Sequence, residues 1–415
     1  MLNFFRNKEN RGFFSFWLAQ LVSQFGDRLN QMALVGLVSS HQPGSAFELA
    51  KLLSFTIIPV FVVGPIAGVF VDRWDRRTTL MVCDFIRGFL ALSIPFMFLS
   101  SHNIIPIYVV VFLIFTLSRF YVPAKMSFIP EIVDQKDLHI ANSLVSTTGM
   151  IALVAGALLG GLVVEYTGSK GGFISGAITF FVSATLVFSI GRISKFRLST
   201  AKFIDTSREM ISIEKNIFHE IKEGIQYIQS QKEIRSIIYM MAILFAAAGA
   251  IYVLIIIFIQ QTFNSVTKDL GFLAVPLGIG LFLGSMAYAR WGQKADRFKT
   301  MFWCLILGGA MIGFFSLCVA STHERWIAMA LALILGFVTG PIVIAANTVV
   351  QEVCSQTMSG KVFSALEFVM HLAFLVAMFV SSILAEHLSC AWVLFGVGAI
   401  FMGVGISGLS QRRKV

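Results

Sequence analysis

Charge is what this sequence has least of. Of its 415 residues only 13% are Asp, Glu, Lys or Arg, against about 25% in ordinary soluble domains. With 57% of the chain hydrophobic, a water-soluble core is excluded. Cysteine is scarce in pattern as well as number. The five thiols (Cys83, Cys304, Cys318, Cys354, Cys390) include no C-x-x-C pair, which argues against both a disulfide framework and a metal knuckle. The chain also has no G-x-x-x-x-G-K-[ST] phosphate loop and no G-x-S-x-G nucleophile elbow. Neither ATP hydrolysis nor serine chemistry is expected, and we read the chain as no enzyme and as needing no cofactor. Four of the seven histidines, His41, His102, His323 and His387, fall singly in connections, so no metal site is expected.

What the sequence has instead is long apolar runs. A membrane-crossing helix needs roughly 20 such residues. Twelve runs meet that need, near 12-40, 47-71, 79-100, 105-127, 139-165, 172-191, 236-262, 268-291, 300-320, 325-350, 359-386 and 391-410. Each is continuously apolar rather than alternating, which predicts helices and not barrel strands. The net charge of +10 does not point to nucleic acid, because the basic residues are scattered between the runs. They report topology. With the N-terminus inside, 25 Lys and Arg lie in cytoplasmic segments, against Lys170, Lys268 and Arg325 in outer loops. Both termini are therefore expected in the cytoplasm of a multi-pass inner-membrane protein. The first apolar segment exceeds signal-peptide length and lacks an A-x-A site, so it reads as a retained span.

The chain repeats itself weakly at an offset near 220 residues. Pro130-Glu-Ile-Val133 followed by Ser143 parallels Val350-Gln-Glu-Val353 followed by Ser364, and Gly64 parallels Gly284. This predicts two pseudo-symmetric six-helix bundles, 1-191 and 236-415, as parallel duplication produces. The linker 192-235 carries Met210, Ile213, Ile217, Ile221, Ile225 and Ile228 at three- and four-residue steps, the pattern of an amphipathic surface helix.

An ionisable group at bilayer depth costs about 2.5 to 3.5 kcal/mol on insertion scales and so marks a functional candidate. In the first span Gln20, Gln24, Asp27 and Gln31 fall within roughly a 60° arc, with Arg28 beside it. This stripe is expected to line a central cavity. Asp27 is a candidate proton or cation site, and Arg28 its charge partner or a contact for an anionic group. The alternative is structural pairing with other helices. Arg119 in the fourth span is placed for a cytoplasmic gate. Glu367 and His371 share a face of the eleventh span, either as titrating groups or as a helix-to-helix hydrogen bond. Asn347 in the tenth is a further cavity candidate.

The second connection reads Gly68-Val-Phe-Val-Asp72-Arg73-Trp-Asp75-Arg76-Arg77. It resembles the G-x-x-x-D-R-x-G-R-R loop of the major facilitator superfamily, with Asp75 where many members have Gly. The resemblance implies a conformational switch, with Gly68 allowing close helix contact and Asp72 pairing with a neighbouring helix. Gly156-Ala-Leu-Leu-Gly160-Gly161 in the fifth span is similar to the G-P-x-x-G-G packing motif of the antiporters, with Ala157 in place of proline. Gln24-Phe-Gly-Asp27, Val122-Pro-Ala-Lys125, Pro130-Glu-Ile and Ala141-Asn142 look like both the macrolide-efflux branch and bacterial lysophospholipid transporters. Asp75, Glu223-Gly224, Gln351-Glu352 and Gly360-Lys-Val-Phe favour the former. Gly26-Asp27-Arg28 is also similar to the first span of ferroportin, yet Gln31 stands where a metal-binding histidine would be sought. The resemblance implies proton-coupled export of a hydrophobic or amphipathic small molecule by a monomer in contact with membrane lipid. The rival expectations are lysophospholipid transport and a non-transporting membrane sensor.

Overall fold

A computed structural model describes residues 11–100, 104–190, 232–292, 296–353 and 359–412. The expected linker helix within 192-235 lies almost wholly outside the described residues. Every regular element among them is helical: α1 (Arg11–His41), α2 (Ala46–Val62), α3 (Gly64–Arg73), α4 (Arg76–Ser100), α5 (Ile105–Ile132), α6 (Leu138–Ser189), α7 (Lys232–Phe263), α8 (Lys268–Trp291), α9 (Arg297–Thr322), α10 (Arg325–Val353), α11 (Ser359–His387) and α12 (Cys390–Arg412).

Two departures from one helix per apolar run have local causes. The second run is bent by 60° between Ala46–Val62 and Ile66–Arg73. Pro65, in the first turn of α3, has no N–H with which to continue the preceding helix. Conversely, the fifth and sixth runs form one 52-residue helix, α6, broken only at Gly168 with φ 73°. That left-handed backbone is open to glycine at little cost, and it reverses the chain without a loop. Counting α2 with α3 as one span and α6 as two gives the twelve expected spans. By length and apolarity alone nine described helices qualify to cross a membrane, or up to ten with the bent pair. The first helix falls short because Gln20, Gln24, Asp27, Arg28, Asn30 and Gln31 interrupt its apolar sequence.

The chain divides into two compact units, Met1–Leu37 with Leu52–His219, and Val38–Lys51 with Glu220–Val415. Each repeats one pairing scheme. In the first unit α3 packs on α5 and α4 on the second half of α6, while Gly156 and Gly160 of the first half of α6 lie under Arg28 and Leu29 of α1. In the second, α8 packs on α10, α9 on α12 and α7 on α11. Spans one and five, two and four, three and six thus correspond to seven and eleven, eight and ten, nine and twelve.

Large apolar side chains such as Phe96, Phe282 and Trp303 are exposed. In water such a surface drives aggregation; in hydrocarbon it is the surface a helix bundle needs. Tyr166, Trp291, Trp326 and Trp392 are exposed at helix ends or turns, where amphipathic rings suit the headgroup region.

Small residues set the closest crossings. On α8 and α10, Gly280, Gly284, Gly336 and Gly340 are reciprocally placed, and an added methyl at each meets a backbone carbonyl of the opposite helix. Without a hydrophobic force between helices in lipid, such contact carries association. Gly284→Ala is expected to lower the thermal midpoint of the detergent-purified protein, as overpacking of about 1–3 kcal/mol does. Gly396→Ala, where a methyl meets nothing within 4 Å, is expected to leave the midpoint unchanged or raise it.

Candidate functional site

The polar stripe of α1 leads to a group that the sequence reading passed over. Arg87 of α4, 1% exposed, donates to Asp27 of α1 and, over 2.9 Å, to Asp84 one turn earlier on its own helix. Asp84 is wholly buried and fully engaged: Ser23 of α1 donates to its Oδ1 over 3.0 Å, and Ser183 of α6 to its Oδ2 over 2.6 Å. Arg87 is also sandwiched by rings, its guanidinium carbon 4.1 Å from the Phe180 centroid and 5.5 Å from that of Tyr121. Aromatic faces are favourable for a cation removed from water. Three helices of the first unit are therefore tied together at one buried guanidinium.

The two carboxylates are unequal. Asp84 has three donors and no exposure; Asp27 is bound by Arg87 through one oxygen and is 32% exposed. Lys125 of α5 lies within electrostatic reach of Asp27. With Asp27 neutral, Arg87 and Asp84 balance each other. With Asp27 ionised, a second negative charge must be answered from Lys125, water or a solute. Of the pair, Asp27 is the group able to exchange a partner.

Asp27 therefore pairs with Arg87 and not with Arg28. The Arg28 guanidinium donates instead to Gln31 over 2.7 Å, and its stem packs over Gly156 of α6. Gln24 is half-buried, with its amide facing Gly149. Gln20 departs from the expectation that it lines an open path: it is 1% exposed, sealed where α1 enters the bundle core beside Phe16 and Ala19. Both of its amide atoms are buried without a hydrogen-bond partner. Gly160 lies against Leu29 and Met32, and Gly161 is buried. Arg119 is half-buried on α5.

The remaining site candidates lie elsewhere. In the second unit Glu367 lines a cavity of about 530 Å³, while Nδ1 of His371 is 2.8 Å from the Glu367 backbone carbonyl. The contact of the His371 ring on this shared face is to the Glu367 main chain. The side chain of Asn347 is outside the described residues.

The loop between α3 and α4 is held differently from expectation. A methyl at Gly68 meets nothing within 4 Å, so no close helix contact depends on it here. Asp72 and Arg73 are exposed, and no ion pair holds the Asp72 carboxylate among the described residues. Asp75, where the resemblance would put glycine, accepts from the Thr78 N–H over 2.7 Å and caps the start of α4. Arg76 reaches Glu131 at the end of α5, 3.5 Å away. Arg77 donates to the carbonyls of Val187 and Phe188, the first over 3.1 Å, satisfying the orphan carbonyls at the end of α6.

Arg87 and Asp84 carried a sequence signal. They stand three residues apart in an apolar run, hence on one helix face, and both are ionisable at bilayer depth.

The profile of the Major Facilitator Superfamily matches residues 16–373 and again 236–411. Among curated proteins the chain is 26% identical over 404 residues to the "Multidrug efflux pump Tap" of Mycolicibacterium fortuitum, covering 92% of this chain and 94% of that one. It is 25% identical over 313 residues to the "Putative bacilysin exporter BacE" of Bacillus subtilis, with 74% and 72% covered. Among solved structures, a bacterial homologue of the iron transporter ferroportin in an inward-facing state has a TM-score of 0.73 at 13% identity, with 96% and 98% covered; at that identity the likeness is one of fold.

Arg87→Met strands Asp84 without its cation, and breaking a buried pair from one side costs about 3–5 kcal/mol. The variant is expected to show a much lower thermal midpoint, and Arg87→Met with Asp84→Asn to recover part of the loss. At the loop, Asp75→Ala is expected to destabilise by about 1 kcal/mol and Asp75→Gly by a few tenths, read in the same melts.

Proposed function

The chain belongs to the Major Facilitator Superfamily of membrane transporters, and from that premise we propose that it exports a hydrophobic or amphipathic small molecule in exchange for protons. It acts by alternating access as a monomer in the plasma membrane, with both termini in the cytoplasm. The observation that carries the proton reading is the inequality of the two carboxylates on Arg87: Asp84 saturated and sealed, Asp27 singly held and partly exposed. The efflux relatives supply the direction.

The mechanism needs one binary event. Ionised, Asp27 holds α1 to α4 through Arg87. Protonated, it gives up its charge, Arg87 falls back on Asp84, and α1 is released from that tie. A proton can shift the balance of two conformations only by binding one of them better, and Asp27 meets that condition because its partner is present in one arrangement and withdrawn in the other. Lys125 moderates the change by offering Asp27 a second cation. The α3–α4 loop sits at helix ends, where Arg76–Glu131 and Arg77 with the α6 carbonyls must be remade when the helices tilt; Arg119, nearer the middle of α5, is assigned to the cytoplasmic gate.

In proteoliposomes with an imposed pH gradient, Asp27→Asn is expected to slow gradient-driven efflux at least about tenfold, the loss of a step worth ~1.4 kcal/mol or more. Substrate counterflow without a gradient should persist. Efflux by Asp27→Asn with the pH dependence of the unmodified protein would remove the proton assignment.

A further inference from the structure

The tip of the α1–α2 hairpin, on the outer side in the proposed topology, is seated differently from the rest of those helices. Residues Val38–Lys51 belong to the second compact unit, whereas α1 up to Leu37 and α2 from Leu52 belong to the first. Gly44, at φ 81°, turns the tip in a left-handed conformation open to glycine at little cost. A methyl added there would come within 3.3 Å of the Gln261 amide of α7. Phe47 of α2 meets Phe379 of α11 edge to face, with ring centroids 6.2 Å apart. These contacts all lie within the second unit.

The polar contact of this seat is made by Glu386, in the last turn of α11. Its Oε1 accepts from the Ser45 hydroxyl over 2.8 Å and from the Phe47 N–H over 3.4 Å. Ser45 Oγ in turn accepts from the Glu48 N–H over 3.2 Å and so caps the first turn of α2. One hydroxyl thus joins the cap of α2 to the carboxylate of α11. The electrostatics favour the docked arrangement. At the C-terminal end of its own helix a carboxylate faces the negative end of the dipole, while the first turn of α2 offers it the positive end and an N–H without an intrahelical partner. Because Glu386 is exposed, water can replace these contacts at modest cost. The contact is specific in geometry and easily reversed.

We propose that Glu386 is the latch of this tip, a positioning residue that holds the α1–α2 turn on α11 and releases it when the outer side of the transporter opens. The proposal rests on the alternating-access reading, but the latch is testable without a substrate. It also gives α1 two ties of different kind: one at mid-length, from Asp27 to Arg87, and one through the turn that follows it, from Ser45 to Glu386.

The test uses the full chain in phosphatidylcholine nanodiscs, with the five native cysteines replaced by serine and spin labels on Gln42→Cys and Ser389→Cys, both exposed positions. Pulsed electron resonance then reads the separation of the tip from the end of α11. Glu386→Ala is expected to raise the population of longer distances at least about twofold. Ser45→Ala, which removes the hydroxyl donor, should act in the same direction. Glu386→Gln should give a smaller rise, because its amide oxygen still accepts but carries no charge. Glu324→Gln, at an exposed position in another connection, should leave the distances unchanged. Thermal midpoints near that of the unmodified protein are expected throughout. Unchanged distances in both Glu386→Ala and Ser45→Ala overturn the latch, and so does an equal rise in Glu324→Gln. A fall in midpoint without longer distances overturns it too, and assigns Glu386 to stability alone. None of these outcomes depends on transport, so the efflux assay of Asp27→Asn judges proton-driven export separately.

Discussion

A guanidinium buried to 1% exposure inside a bundle facing lipid is the demand that the first unit is built to meet. Water cannot reach Arg87 to solvate it, so its charge must be answered by protein groups brought from other helices. Asp84 comes from the same helix face, Asp27 from α1, the serines that steady Asp84 from α1 and α6, and the ring faces from α5 and α6. The packing of four helix segments is thereby tied to one cation. Helix association in lipid lacks the hydrophobic drive available in water, which makes such a polar knot a strong determinant of which helices meet.

The second unit keeps a buried carboxylate pair, Asp269 of α8 with Arg325 of α10, at the helix ends, and among the described residues packs the helix interiors without charge. Its close crossings are made by glycines whose absent side chains let backbones touch, as at Gly280 and Gly284 against α10, and Gly309 against Gly398 of α12. Those contacts depend on shape alone and carry no titratable group. The contrast gives the two units different fittings: the first holds a carboxylate bound through one oxygen, to which the proposed function assigns the proton, while the second holds an apolar space with a single carboxylate at its edge. An exporter that exchanges a proton for a lipophilic solute needs both, and nothing requires them to lie on the same helices.

The architecture was legible because lipid imposes a strong length and polarity rule on every span. The twelve runs, the reversal at Gly168 and the position of Asp27 on a polar stripe all follow from it. The Arg87 knot was less legible, for a physical reason. Periodicity shows which residues share a helix face but not which helix that face meets, so pairing of Asp27 with another helix stands in the sequence as an open alternative while its partner, 60 residues away, is not named by it. Gln20 shows the same limit, since an amide on a polar stripe is buried or open according to how deeply its helix enters the core. The α3–α4 loop was recognised by its motif, yet the role of Asp75 as the cap of α4 is local chemistry at the very position that departs from the pattern.

On the proposed mechanism, α1 must move when Asp27 changes charge, and its surroundings permit that. The side of α6 that faces α1 is lined by glycines: Gly149 opposite Gln24, Gly156 and Gly160 opposite Arg28 and Leu29, Gly176 opposite Asn30. A track without side chains offers few knobs to lock a register, so sliding costs less than it would across an interdigitated seam. The ion pair to Arg87 is then what selects one register over another. Gln20 and Gln24 sharpen the point, because both amide atoms of Gln20 and the Gln24 nitrogen are buried without a protein partner in this arrangement. An unmet buried polar group costs about 1–3 kcal/mol, a bias against the present seating of α1 that its tie to Arg87 offsets. Removing that tie by protonating Asp27 would leave the bias unopposed, and a helix balanced in this way is the two-state element that a proton-driven transporter requires.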